Sequence, residues 1–324
     1  MTAVKICHNV IFCDKVAASI DGAAMSAATE SFNASTRPDD SPEVVAARLA
    51  KAHEEFENQL RPAPGDSKEQ LSKKLLTVAC PVEPTPALAE IARQLIDLGA
   101  DVLYKDKHDC TALLNAASAG NAALVKTLLE KGADPNAAEA QWHSDGTLGP
   151  VICHAAYKGN ADIIRMLIAA GADPDASTDP GGRTALILAI DYARVKNETQ
   201  RPDSVAALVE SGASLDKATA KGWTPLLYCI HADMPVTAKY LIEKGADPAG
   251  APGAISPYDL AKGKNPDLAK HISDIIALRK EQEIARERLA RETQQRLDHW
   301  LDSGCPTADA VRPMPVLKLK TKTP

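Results

Sequence analysis

An all-α stack of helix pairs is the fold class this sequence predicts, and three observations carry the prediction. A short phrase recurs along the chain: Gly99-Ala100-Asp101, Gly132-Ala133-Asp134, Gly171-Ala172-Asp173, Gly212-Ala213-Ser214 and Gly245-Ala246-Asp247 each close an apolar helical pattern. Their glycines stand 33, 39, 41 and 33 residues apart, so one unit repeats and two copies carry additions. A second phrase, Thr111-Ala112-Leu113, Thr184-Ala185-Leu186 and Thr224-Pro225-Leu226, recurs in step with the first. Finally, the 324 residues are 45% hydrophobic but only 4% aromatic, so the interior is built from Ala, Leu, Ile and Val. That supply suits close-packed helices better than a β-sandwich, whose strands favour β-branched and aromatic residues.

The elements follow in order. Residues 1–40 mix Ala, Ser, Thr and Asp without a period and are expected to be disordered. Ser41-Pro42-Glu43 reads as a helix start, with Ser as N-cap and Pro at the first position. Val45, Leu49, Ala52, Phe56 and Leu60 continue it as an amphipathic stripe, and Arg61-Pro62-Ala63-Pro64-Gly65 ends it. Residues 41–66 are therefore expected to be a helix and linker that either cover the apolar end of the stack or dock a partner.

Residues 67–280 hold about five units. Within them Leu124-Val125 and Leu128-Leu129, Ile163-Ile164 and Leu167-Ile168, and Ala238, Leu241 and Ile242 each line one helical face. The glycine after each supplies the left-handed geometry that ends a helix. The threonines stand where an N-cap opens the next one. Ala116-Ala117 and Ala155-Ala156 provide the small residues that let neighbouring helices close up. Additions fall near Gln141–Gly149 in the third unit and Val195–Pro202 in the fourth.

Ser256-Pro257-Tyr258-Asp259-Leu260-Ala261 opens a degenerate last unit, to which Leu268, Ile272 and Ile275 also belong. From Pro266 a single helix is predicted to about Leu301. Residues 281–302 are its charged part, with Glu287–Arg291 and Glu292–Arg296 at the favourable i, i+4 spacing and a sparse stripe of Ala285, Leu289, Leu297 and Leu301. It reads as a solvated extension. Residues 303–324, a basic tail with Lys318, Lys320 and Lys322, are expected to be disordered.

This pattern resembles the ankyrin-repeat family, whose unit reads roughly G-x-T-P-L-H-x-A-A-x-x-G-H/N, then a helix, then G-A-D-x-N. The clearest copy matches at Thr111, Ala116, Ala117, Gly120, Asn121, Gly132, Ala133, Asp134 and Asn136; Gly159-Asn160, Gly222, Thr224, Pro225 and Leu226 match elsewhere. The family's His after the T-P-L triplet is absent: Leu114, Cys153, Ile187 and Leu227 take its place, so apolar packing must replace its hydrogen bond. The resemblance implies an ankyrin-repeat solenoid with short β-hairpin fingers and a concave face that recognises other proteins without catalysis.

The remaining chemistry agrees with that expectation. A net charge of −6 and a pI of about 5.8 disfavour a general nucleic-acid binder. No apolar run is long enough to span a membrane, and no export signal is read. The seven Cys are scattered, odd in number and free of Cys-x-x-Cys, which points to reduced thiols in the cytoplasm. Phosphate-loop motifs are absent, and Cys153 and His154, being adjacent on a helix, diverge by about 100°. No catalytic residue, cofactor or metal is therefore assigned.

The expected partner-binding residues are Trp142 and His143 in a lengthened finger, Arg183 and Trp223 just before the capping Thr, His154 and Tyr228 on the inner helix face, and Tyr157 and Tyr192 one turn on. Cys110 and Asn115 share those positions in the second unit. The function expected is that of an adaptor for a protein partner, the chain itself being a monomer or a dimer through its C-terminal helix. The alternative is a dedicated inhibitor or immunity protein covering a toxin's active site, the acidic charge suiting a basic, nucleic-acid-cleaving target.

Overall fold

The computed structural model describes residues 51, 54–80, 85–107, 109–138, 149–177, 181–195, 202–250 and 255–302. The expected disordered ends, the Ser41 helix start, Trp142, His143 and the bodies of the two additions lie outside the described residues. The chain divides into two compact units, Met1–Ala269 and Lys270–Pro324.

In the first unit the helices come in pairs. They are α1 (Lys68–Val78) with α2 (Pro86–Asp97), α3 (Ala112–Ala119) with α4 (Ala122–Glu130), α5 (Val151–Tyr157) with α6 (Ala161–Ala169), α7 (Ala185–Val195) with α8 (Asp203–Glu210), and α9 (Pro225–His231) with α10 (Pro235–Glu243). α11 (Pro257–Lys264) opens a further pair. Every first helix packs on the next first helix, in the order α1, α3, α5, α7, α9, α11; α2, α4, α6 and α8 stack in parallel behind them. This nearest-neighbour stacking is what defines a helical solenoid.

The inner row closes up because its touching residues are small. Ala116, Ala117, Ala155, Ala156 and Ala189 are fully buried. Leu113, Ile152, Leu186 and Leu226 seal the space between each inner helix and its outer partner row, with Leu128, Leu167, Leu208 and Leu241 from the outer helices. Leu114, Cys153, Ile187 and Leu227, in the position of the family's His, are all buried; Cys153 alone keeps a polar link, its Sγ lying 3.5 Å from the Ala176 carbonyl.

The recurring phrases have local reasons. Gly99, Gly132, Gly171, Gly212 and Gly245 adopt φ between 87° and 116°, a region closed to most side chains. Each lets the following N–H reach back five residues, as in Ala133 to the Leu128 carbonyl at 2.9 Å and Ala246 to the Leu241 carbonyl at 2.9 Å, satisfying carbonyls that the helix end would orphan. The aspartates after them fold the chain onward: Asp101, Asp134, Asp173 and Asp247 each accept the backbone N–H two residues later, at 2.9–3.0 Å. Thr111, Thr184 and Thr224 accept the N–H of Leu114, Ile187 and Leu227 and so cap α3, α7 and α9. Pro150 holds that place before α5 and caps nothing with its side chain.

A second ladder ties unit to unit. Asn136, Asp175 and Asp216 stand four residues after their helix-ending glycines and accept the N–H of Asp173, Ser214 and Asp247 in the next unit, at 3.0, 2.7 and 2.8 Å. The fingers between pairs are short. Among the described residues they show two isolated antiparallel bridges, Ala138 with Pro150 and Ser177 with Thr184, and no extended sheet.

The segment before α1 is helical over residues 54–60 and touches the first pair. Thr85, the N-cap of α2, donates to Glu57 at 2.6 Å, and the Lys74 ammonium of α1 reaches the Arg61 carbonyl at 2.9 Å. The helix α12 (Pro266–Asp302) starts at the end of the first unit and makes up the described part of the second, running on as predicted; residues 281–299 are exposed, and Glu287 pairs with Arg291 at 3.3 Å.

Candidate recognition site

Repeats place equivalent side chains in rows. Counting from each capping position, the residue just before it is Cys110, Gly149, Arg183 and Trp223 in successive units. The fourth residue after it is Asn115, His154, Leu188 and Tyr228; the seventh is Ser118, Tyr157, Asp191 and His231. The structure treats these rows unequally along the stack.

In the second and third units the fourth-residue row is sealed, and in the second so is the residue before the cap. Cys110 is buried, and its N–H donates to the Asp106 carboxylate at 2.9 Å. Asn115 is 5% exposed and donates to the Leu76 carbonyl of the preceding pair at 3.2 Å. His154, expected on the open face, is also 5% exposed: its Nδ1 shares a 2.8 Å hydrogen bond with the Ser118 hydroxyl of the unit before. The fourth-residue row points between stacked helices, so a polar side chain there is matched by its neighbour and leaves the surface. Leu188 continues this interior row.

From the third unit onward the surface opens. Tyr157 is 44% exposed at the end of α5. The Tyr192 ring lies against the Gly159 Cα, where any Cβ would collide with it. Arg183 and Arg194 both approach the Asp191 carboxylate, at 3.7 and 3.5 Å, the three side chains being 31%, 51% and 19% exposed. Across the junction α9 contributes Tyr228, half-buried. Burial pushes the Tyr228 phenol up, and the nearby Asp191 carboxylate adds to the rise, while Arg183 and a hydrogen bond with Thr219 oppose it.

Trp223 completes the cluster. Its ring meets Tyr228 edge-on at 5.5 Å and His231 edge-on at 5.3 Å between centroids. The finger fixes its position: Thr219 N–H donates to the Trp223 carbonyl at 2.9 Å, and the Trp223 N–H donates to the Thr219 hydroxyl at 3.2 Å. Ala220 N–H then bonds the Gly181 carbonyl of the preceding finger at 3.1 Å, tying the finger that carries Trp223 to the one that carries Arg183.

Four expected residues, Arg183, Trp223, Tyr228 and Tyr192, thus fall on neighbouring helices and fingers of the fourth and fifth units. Tyr157 lies one unit earlier, and His154 is interior. Sequence reasoning missed Asp191, Arg194 and His231. The signal for two of them was present: Asp191 and His231 occupy the same row as Tyr157.

The arrangement offers hydrogen bonding, charge and aromatic area rather than bond-making groups. Burial pushes the Cys153 thiol up to about 12 and raises Cys229 further, which keeps both protonated at neutral pH. Among the described residues no group of three or more His, Cys, Asp or Glu is placed to hold a metal ion, and no helix is long and apolar enough to cross a membrane.

A stack of capped helix pairs with a polar and aromatic inner face defines the class of helical-repeat proteins that mediate protein–protein interaction. Family comparison agrees: ankyrin repeats in three copies match residues 152–250, and a further ankyrin repeat matches residues 108–140. Residues 108–140 and 152–250 of the chain are thus ankyrin repeats. The α1–α2 pair and α11 extend the same stacking beyond those stretches. No curated protein matches the chain.

Proposed function

We propose that the chain is a non-catalytic cytoplasmic adaptor that holds a protein partner against the inner-helix, finger-lined face of its fourth and fifth units. The observation that carries this reading is the change along the rows. Positions that earlier units bury as Cys110, Asn115 and His154 are occupied here by Arg183, Trp223 and Tyr228, each partly exposed. Trp, Tyr and Arg dominate binding hot spots because they bury large area with little loss of side-chain freedom. Concentrating them at one junction of a chain with 4% aromatics supports a recognition role. Tyr157 and Tyr192 extend the surface; Trp142 and His143, outside the described residues, are added to the reading by residue type alone.

The test is site-specific photocrosslinking. A benzophenone side chain is placed at Tyr228 or Tyr157 and, as control, at Lys126 on an outer helix; light is applied in cells and the adducts are identified by mass spectrometry. The reading expects one defined protein adduct from Tyr228 and none from Lys126. Adducts from Lys126 with none from Tyr228 would move recognition to the other face.

A further inference from the structure

The helix α12 carries more aliphatic surface than an extension into water needs. Leu278, Ile284, Leu289 and Leu297 are 49%, 53%, 42% and 48% exposed. At about 100° per residue, Leu278, Gln282, Ala285, Leu289 and Thr293 fall within about 40° of one line along the helix, and all five are exposed. The Thr293 hydroxyl donates to the Leu289 carbonyl at 2.7 Å, so its polar group is engaged within the helix. Steps of four, three and four residues from Leu278 to Leu289 match the seam of a two-stranded coiled coil, with the polar Gln282 at one core position.

The charges around that stripe select what covers it. Among residues 274–299, Asp274, Glu281 and Glu292 lie on one side of it together with Arg288 and His299; Arg279 and Arg286 lie on the other. Lys280, Glu283, Glu287, Arg291 and Asp298 are on the back, where Glu287 pairs with Arg291 at 3.3 Å and Asp298 accepts from Gln294 at 2.8 Å. Two parallel helices set one side of the stripe against the other side of its copy. Asp274 and Glu281 then meet Arg279 and Arg286 of the second chain, each five residues on. Antiparallel helices set like side against like side, with carboxylate facing carboxylate. Arg279 already has an interaction within its own chain, so Glu281 with Arg286 is the pair that decides. In the parallel arrangement Arg288 falls opposite Thr293. Arg296 lies on the stripe itself, falls opposite its own copy and ends the pairing.

We propose that α12 pairs with the same helix of a second copy of this chain, parallel and in register over residues 274–293, as a short two-stranded coiled coil. Leu278, Ala285 and Leu289 are its apolar layers. Gln282 lowers its stability and fixes its register, the role a polar core residue has in such pairs. Pairing doubles the valency of whatever face each stack presents.

Sedimentation equilibrium on the full chain tests this. The wild-type mass should rise from monomer towards dimer with concentration. Leu289→Asp, which sets a charge in the seam, should stay monomeric, whereas Ile284→Asp on the opposite side should pair like wild type. Glu281→Arg and Arg286→Glu should each weaken the dimer roughly three- to tenfold, less so at high salt, and the double exchange should recover it. Arg296→Leu should tighten the dimer, because it replaces a like-charge contact with an apolar one. Circular dichroism should show all variants equally helical. A monomer mass at every concentration, or a dimer that survives Leu289→Asp, would overturn the proposal. Single charge reversals that strengthen the dimer, or a double exchange that fails to recover it, would overturn the parallel register.

Discussion

At the α3–α5 junction the seventh residue of one unit meets the fourth residue of the next as Ser118 and His154; at the α7–α9 junction the same two positions are Asp191 and Tyr228. The backbone register is common to both. The outcomes differ because of what each pair can satisfy. A hydroxyl and an imidazole nitrogen complete one another at 2.8 Å and are buried. A carboxylate flanked by two arginines and a phenol carries charge that burial would penalise, so this junction stays partly open to solvent. A repeat position is therefore neither structural nor functional by its number; its neighbour one unit away decides.

Ways to break or sharpen this contrast run from the shared interior to single backbone positions. Leu128 is fully buried on α4, and Leu128→Ala should cost about 2–5 kcal/mol in chemical unfolding, through lost burial and the cavity left behind. A smaller loss would mean that the stack relaxes around the gap. Gly159→Ala should cost about 2–3 kcal/mol, since φ is +70° and the new Cβ would meet the Tyr192 ring. The double variant with Tyr192→Ala should recover the steric part and leave the backbone part. Additive losses would show that the ring does not press on Gly159.

His154→Ala should destabilise by roughly 1–3 kcal/mol, because it opens a cavity and strips Ser118 of its partner, whereas Tyr228→Ala should stay below about 1 kcal/mol. Thermal melts of the two variants side by side test the contrast directly, and equal losses would erase it. The smallest expected change is a gain. Asp233, exposed, adopts φ +54° where the second and third units have Gly120 and Gly159. Asp233→Gly should therefore stabilise by about 0.5–1 kcal/mol, and a measured loss would show that the Asp side chain contributes more than its backbone strain costs.

Much of the stack was legible in the sequence because its signals are local. The five Gly-Ala phrases end five helices, and the threonines cap three, through hydrogen bonds that span at most five residues. The unit-to-unit ladder from Asn136, Asp175 and Asp216 spans 31–39 residues, yet it follows the period and could be read from it. The site was only half legible. Trp223, Tyr228 and Arg183 stand out by residue type. The burial of His154 depends on Ser118, and the charge of the arginine pair depends on Asp191, neither of which is marked by its own neighbourhood in the chain. The stacking of Tyr192 on Gly159, 33 residues apart, was available to anyone placing the units one above the other.

The central claim is that the α7–α9 junction, and not the charged helix of residues 281–302, is the recognition element. Titration calorimetry with the crosslinked partner, once purified, tests it on three proteins: wild type, the Trp223→Ala/Arg183→Ala double variant, and a chain lacking residues 281–324. The account predicts that the double variant binds more than about tenfold more weakly with a nearly unchanged melting temperature, while the shortened chain binds like wild type. A double variant that binds like wild type, with binding abolished in the shortened chain, would contradict it.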